Sequence, residues 1–443
     1  MPENLVARWA RTAAQSPTAI ALIDGATGRR WTRAELAAAI SGQFAILPAR
    51  RQLAGRPVVL AGRNSPDWLA MFVALLEAQA IPVAVDAGEP LDAQTAVARH
   101  LGAAAVWRGS TMELIATAPR RRRNGPCLYK LTSGTTGEPR ALPFTHAQMI
   151  ADGTQICSSM GISPADTNFA VIPLGHSYGL GNLVLPLLLQ GTAIAIGSGS
   201  LPHVIADEVA RTGATVFPAV PALLQMLTRA DVDAAAFARL RLVLSAGAPL
   251  APDTAQKFEA KFGRRVHGFY GSSETGGICF DRSGDATRSG RSVGTPLDGV
   301  RLDFRRGGRF VVASAAVMRT GAHTPPDLGE RNEHGELVLL GRRGRTVKVA
   351  GRRVDLAEIE RALRSVPGVD EAWAGADPKK TDAVAAVVAS TLAPPKLRAA
   401  LATRIAAWKI PDHLLVVADF PLTARGKPDR RKLRALLSRD PGA

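Results

Sequence analysis

Cysteine, aromatic residues and long apolar runs are all scarce in this chain of 443 residues. The three cysteines, Cys127, Cys157 and Cys279, lie far apart with no paired spacing. Neither a disulfide framework nor a zinc knuckle fits that pattern, and a reducing compartment does. Aromatic side chains make up 5% of the sequence, too few to interleave with basic residues as a nucleic-acid platform requires. The longest apolar stretch, Leu183 to Ile196, is interrupted by Pro186, Gln190 and Gly191 and is too short to cross a bilayer. It reads as a buried helix followed by a buried strand. Met1 to Pro17 sets Glu3, Arg8 and Arg11 around Leu5, Val6 and Trp9, a short amphipathic helix with no signal-peptide core. The expectation is a cytoplasmic protein with no transmembrane segment.

Acidic residues are also in deficit, 38 against 55 Lys and Arg, for a formal net charge of +17. Such a surface suits anionic partners: nucleic acid, membrane, nucleotides, coenzyme A or an acidic carrier protein. Charge alone does not choose among them, and arginine scattered among alanines also fits a base-composition bias. The dense run Arg120 to Arg123 precedes Asn124 and Gly125 and reads as a solvated loop. No nucleic-acid partner is expected.

What is present is a repeated apolar strand pattern. Pro57 to Val85 gives a strand, a turn at Asn64 and Ser65, a helix and a second strand. Similar strands recur in "NFAVIPL", "TAIAIGS", "ATVFPAV", "LRLVLSAG" and "RVHGFYG", separated by helix-length segments. The class is α/β, with doubly wound, mostly parallel sheets buried on both faces. From about 281 to 340 short alternating stretches and Gly, Asp and Arg turns predict a small antiparallel β unit. After Gly341, "RTVKVAGRRV" reads as a hairpin, and Asp355 with Glu358 has capping-box spacing for a helix through Leu363. A small α+β domain follows, its last helix starting near Asp429 and presenting Leu433, Leu436 and Leu437. Residues 1–341 therefore form a large N-terminal body and 342–443 a C-terminal domain.

The segment richest in chemistry is "LTSGTTGEPRALPFTH", Leu131 to His146. A strand is expected to enter a hydroxyl- and glycine-rich loop and then a helix capped by Thr145, with Gln148 three residues on. Glycines let backbone N–H groups converge on phosphate oxygens, hydroxyls of Thr132, Ser133, Thr135 and Thr136 add donors, and Arg140 adds a fixed charge. Gly134 and Gly137 complete the loop. No Gly-Lys-Ser or Gly-Lys-Thr closes it, so it is not a Walker loop. A polar surface turn is the plain alternative.

That loop resembles the signature of the adenylate-forming superfamily, which holds acyl-CoA synthetases, amino-acid adenylation domains and firefly luciferases. Further segments follow in matching order: "PLGHSYGLGN", "SAGAPL", "GFYGSSETGG", "GELVLLGRRGRTVKVAGRRVDLAEIE" and "PLTARGKPDRRKL". The resemblance implies a carboxylate-activating enzyme that uses ATP and Mg2+ to form an acyl-adenylate, then acylates coenzyme A or a carrier protein's phosphopantetheine. It implies that Tyr270 faces the adenine beside Gly247, Ala248, Pro249, Gly271 and Ser273, and that Glu274 holds magnesium. Asp327 would take the ribose hydroxyls, although the usual Thr-Gly-Asp is broken here, with Arg342 nearby. His176, Gly181, Gly276 and Gly277 would border the acyl pocket, and the glycines would leave room for an aryl or fatty, unsaturated acyl group. Lys348 and Gly351 would line the thiol channel.

Lys427, presented by Thr423, Arg425 and Gly426, matches the mobile lysine that reaches the reacting carboxylate and α-phosphate. A compact ammonium there bridges both oxygens as negative charge gathers. Two departures stand out. Arg140 replaces the usual lysine, and Gly344 followed by Arg345 replaces an aspartate hinge near 342–345. They motivate a rival reading, a degenerate member that binds nucleotide without turnover. The charge motivates another, a basic nucleic-acid-binding protein. No lone acid marks an amino-acid amine in the sequence, and an acidic carrier protein would profit from steering by the basic surface.

Overall fold

A computed structural model describes residues 3–115, 125–133, 139–318, 321–342, 346–349, 352–380, 383–405, 407–423 and 426–438. Two large sheets dominate the first three quarters of the chain. In the nine-stranded sheet the order is Thr295–Pro296, Gly276–Phe280, Val266–Ser272, Leu242–Ser245, Val216–Ala219, Thr167–Ala170, Ala193–Ile196, Ile20–Asp24 and Arg30–Thr32. Neighbours from Val266–Ser272 through Ile20–Asp24 run parallel. Their burial is continuous rather than alternating, every residue of Val216–Ala219 and Leu242–Ser245 being buried, as expected of strands covered on both faces. The second sheet has six strands, with Pro57–Leu60, Ile81–Ala84, Ala105–Trp107 and Leu128–Ser133 parallel at its centre.

One core runs through both sheets. Leu22 and Ile194 of the first and Val58 and Leu60 of the second share a cluster with Met149, Ile156 and the helix Pro66–Glu77. That helix starts with Ser65 capping the Trp68 N–H and proline at its first turn, a favourable N-terminal combination. It buries every residue from Trp68 to Leu76.

The 281–340 stretch is antiparallel, as its alternation predicts. Arg301–Phe304, Phe310–Ala313 and Ala322–His323 form one small sheet, and Asp327–Arg331 pairs with Leu337–Arg342. Glu336 holds its turn together by accepting from Arg291, Ser292 and Asn332. Arg291 above all keeps that carboxyl at about 2, below the usual carboxylate range. A short helix, Asp285–Ser289, also lies in this stretch.

Beyond it, the hairpin Thr346–Val349 with Arg352–Asp355 leads into helix Leu356–Arg364 and a three-stranded sheet, Val369–Ala376, Val384–Ser390 and His413–Val417. The last helix, Arg430–Ser438, buries Leu433 and Leu437 with Leu436 packed beside them. Each fully buried leucine contributes about 1.5–3 kcal/mol. The capping expectation at this domain's entry needs correcting. Asp355 accepts from Ala357 N–H, but Glu358 turns away to pair with Lys409 at 2.6 Å, trading a local cap for a tertiary ion pair. Arg364, its side chain 8% exposed, lies against Glu360 and Glu371 and donates to the Ala372 carbonyl.

Candidate active site

The hydroxyl-rich segment is a hairpin. Leu128–Ser133 pairs antiparallel with Pro139–Phe144, placing Thr132 opposite Arg140 and Ser133 opposite Pro139. This corrects the expected loop-to-helix passage: a second strand intervenes, and only then does helix His146–Met160 begin, with the Thr145/Gln148 capping box intact. Gly134, Thr135, Thr136 and Gly137 lie outside the described residues. Thr132 is half-buried and Arg140 exposed, near the end where the two strands are connected.

Most other candidate residues follow the carboxyl ends of the parallel strands, where open α/β sheets bind ligands. Strand Thr167–Ala170 sits between Ala193–Ile196 and Val216–Ala219, which makes it the switch point. The chain beyond it carries His176, half-buried, which caps the short helix Ser177–Gly179. Ser177 Oγ donates to Ser273 Oγ at 3.0 Å. The segments that follow strands Thr167–Ala170 and Val266–Ser272 are thus tied directly.

Strand Val266–Ser272 carries Tyr270 and Gly271 near its end, with a register shift between them. Such a bulge re-aims the residues that follow. The turn is closed by Thr275 N–H to the Ser272 carbonyl and by the 2.9 Å contact between the Ser272 and Thr275 hydroxyls. At its tip the Glu274 carbonyl accepts from Met318 N–H at 3.0 Å, and its carboxylate is half-exposed. Tyr270 donates its phenol to Asp327 Oδ2 at 2.9 Å. Asp327 opens its strand directly opposite Arg342. Residues 57 positions apart in sequence therefore share one wall.

After strand Leu242–Ser245, Gly247 adopts φ +90°, a conformation that favours glycine. Its missing Cβ would lie 3.8 Å from Val220 Cγ1. On the same valine, 3.3 Å from Cγ2, lies the position a Cβ would take on Gly426, whose φ is +67°. Val220 is thus packed between the Gly247 loop, which leads on to Ala248 and Pro249, and the turn that carries Lys427. That turn is closed by Thr423 N–H to the Lys427 carbonyl at 2.7 Å and a bridge between Leu422 and Pro428. Lys427 is exposed. At the far end of the helix Pro221–Arg229, Arg229 forms an ion pair with Asp370 of the small α+β unit. Lys348 lies on Thr346–Val349 opposite Arg353; Gly351, Gly344, Arg345 and Arg425 lie outside the described residues.

The glycines assigned to the acyl pocket have another reason for lacking side chains. A Cβ on Gly276 would fall 2.2 Å from Asp152 Oδ1, one on Gly277 2.4 Å from Leu297, and one on Gly181 2.9 Å from Ile156. The space is filled from within, so these glycines offer backbone, not emptiness. Asp152 was not legible as a site residue: on helix His146–Met160 it looks like an ordinary polar position. Its buried partner, Lys130 at 3.5 Å, leaves a fainter cue, a charge inside an apolar strand just ahead of the hydroxyl loop.

Among the described residues no three His, Cys, Asp or Glu side chains group as a metal site. A single carboxylate such as Glu274 fits magnesium, which takes one or two protein carboxylates and fills its octahedron with phosphate oxygens and water. A cleft of about 970 Å³ lined by Arg301, Phe304, Arg331 and Leu340 contains none of the candidate residues.

Comparison with known proteins gives a consistent picture. The family described as "AMP-binding enzyme" matches residues 9–124 and 107–310, and "AMP-binding enzyme C-terminal domain" matches 358–427. The chain is 28% identical over 356 residues to a sulfoacetate–CoA ligase of Cupriavidus necator, covering 73% of this chain and 70% of that one. It is 27% identical to a salicylyl-CoA synthase / salicylate adenylyltransferase of a Streptomyces species, covering 69% of this chain and 62% of the relative. The ATP-bound crystal structure of MatB from Rhodopseudomonas palustris superposes with a TM-score of 0.82 at 23% identity, covering 98% of this chain and 99% of MatB.

Proposed function

This chain belongs to the AMP-binding enzymes, the adenylate-forming superfamily, and on that premise we propose that it is an AMP-forming acid–thiol ligase. A carboxylate oxygen attacks the α-phosphorus of ATP and the bond from that phosphorus to pyrophosphate breaks; a thiol sulfur then attacks the acyl carbon of the mixed anhydride, the acyl carbon–oxygen bond breaks, AMP leaves and the thiol proton is lost to solvent. The observation that carries this reading is the shared packing of Gly247 and Gly426 on Val220, since it sets the Lys427 turn beside the nucleotide-side loop. Had Lys427 lain on the opposite face from the strand ends, no single crevice could serve both.

The roles follow from the chemistry. Thr132, Ser133 and Arg140 with the intervening loop grip the polyphosphate, while Tyr270 and Asp327 hold the nucleoside, Asp327 as acceptor for the ribose hydroxyls. Glu274 holds magnesium, which supplies charge neutralisation at the phosphates. Lys427 neutralises the oxygens being joined, and His176 borders the acid without moving a proton. Residues 342–443 act as the mobile unit, with the hinge near 342–345 and Lys348 and Gly351 beside the arriving thiol. The acid is an aryl or fatty, unsaturated one, a class to which the salicylate of one relative lends support. Coenzyme A and a carrier's phosphopantetheine present the same thiol arm; the chain's charge of +17 favours an acidic carrier protein.

The test is carboxylate-dependent exchange of labelled pyrophosphate into ATP, screened over aryl, fatty and amino acids. Exchange with aryl or fatty acids is the expected result. Nucleotide binding without exchange for any acid would identify a degenerate binder instead.

A further inference from the structure

Lys130 and Asp152 form a charged pair inside the body, with side chains 1% and 3% exposed and Nζ 3.5 Å from Oδ2. Burying two charges is costly unless the remaining polar atoms are satisfied. Here they are satisfied unequally. Asp152 Oδ1 accepts the Gly277 N–H at 3.0 Å. Among the described residues the Lys130 ammonium has no hydrogen-bond partner, and it lies 4.3 Å over the Phe144 ring, a cation–π contact. A pair kept in so costly a place, and so loosely held, calls for a role beyond stability.

Its location supplies one. Asp152 fills the space that a side chain on Gly276 would take, with Oδ1 2.2 Å from that Cβ position. Gly276 and Gly277 follow Glu274 and Thr275 directly, and the register shift at Tyr270/Gly271 lies opposite them. Lys130 precedes Thr132 by two positions on the strand that enters the hydroxyl-rich hairpin. The pair therefore joins three elements: the phosphate-side strand, helix His146–Met160 and the backbone bordering the acid.

We propose that Asp152, kept neutralised by Lys130, is the positioning residue that fixes the Gly276–Gly277 backbone against the phosphate hairpin and so sets how the acid's carboxylate meets the α-phosphorus. The proposal rests on the ligase reading above. Asp152, with its side chain 3% exposed, acts through the Gly277 N–H. A misplacement of about 1 Å at a reacting centre costs on the order of a hundredfold in rate.

The test separates positioning from packing with two double variants. Replacing a buried ion pair by neutral or apolar residues of similar volume is often neutral for stability, so both should fold. K130M/D152N retains an amide oxygen to accept from Gly277, and K130M/D152L retains the shape without the acceptor. The expected result is that K130M/D152N keeps kcat/KM for the acid within about threefold of wild type. K130M/D152L should lose roughly a hundredfold, with KM for ATP unchanged and both unfolding midpoints near that of wild type. Equal kcat/KM for the acid in the two folded variants would overturn the proposal. If the wild-type protein exchanges no pyrophosphate with any acid, the ligase reading fails by itself. Amide hydrogen exchange at Gly277 then decides the pair: at least tenfold faster exchange in K130M/D152L than in K130M/D152N supports it, and equal rates overturn it.

Discussion

Two buried ion pairs, one in the large body and one in the small α+β unit, are built on opposite plans. Arg364 has Glu360 and Glu371 around it and gives a further hydrogen bond to the Ala372 carbonyl; Glu360 in turn accepts from the Ala374 N–H. Its planar fork meets acceptors on a helix and a strand, which suits a clamp. Lys130, a point charge on a flexible stem, meets Asp152 at 3.5 Å and an aromatic face. The well-satisfied pair lies within the core of the small unit, and the loosely satisfied one borders the candidate crevice. Polar satisfaction is thus completed where only stability is at stake and left partial where a backbone must be held for chemistry.

That contrast breaks first if Arg364 proves dispensable. Arg364→Met strands two buried carboxylates and should cost about 3–5 kcal/mol, read by chemical denaturation, while KM for the acid stays at the wild-type value in the fraction still folded. A stable variant would mean that the clamp is not one. Lys427→Ala is the converse. An exposed lysine on a turn contributes little to stability, so the unfolding midpoint should hold, yet pyrophosphate exchange should fall by about a hundredfold or more. An intermediate case sharpens the comparison: Tyr270→Phe removes the 2.9 Å bond to Asp327, and the charge-assisted bond lost predicts a KM for ATP raised by roughly tenfold. Unchanged ATP kinetics would remove that bond from the nucleotide wall.

The smallest effect concerns Glu336, another satisfied carboxylate, held at about 2 chiefly by its bonds from Arg291. Because its folded value is depressed, the stabilisation is fully present above the ordinary carboxylate range near about 4.3 and disappears as pH falls towards 2. Arg291 is partly exposed, so solvent screening limits the contribution to about 1 kcal/mol. Glu336→Gln should therefore lower stability by that amount at neutral pH and flatten its decline between pH 4.5 and 2. An identical acid limb in variant and wild type would contradict the assignment.

The fold was largely legible because its strands are apolar runs and its helices begin with explicit signals, Ser65 before Pro66 and Thr145 with Gln148. Strand Pro139–Phe144 was hidden by prolines at 139 and 143, which are poor strand residues except at an edge, and an edge is where the sheet places it. Glu358 matched a capping box but found Lys409 instead, a partner 51 positions away that no local pattern reveals. The order of the motifs gave the crevice its membership. Glycine at 276 announced a missing side chain without saying that Asp152 had taken its room, because burial between distant segments is a property of the packed chain and not of the strand that carries the glycine.

One small contact sets a limit on the distant lysine. Gly426 approaches Val220 so closely that a methyl group there would stand 3.3 Å from Cγ2, and the backbone at φ +67° would resist carrying one at all. A side chain at 426 would therefore have to push Val220 or the Lys427 turn aside by a few tenths of an ångström, and in the proposed ligase that turn's seat gauges how far the ammonium can extend.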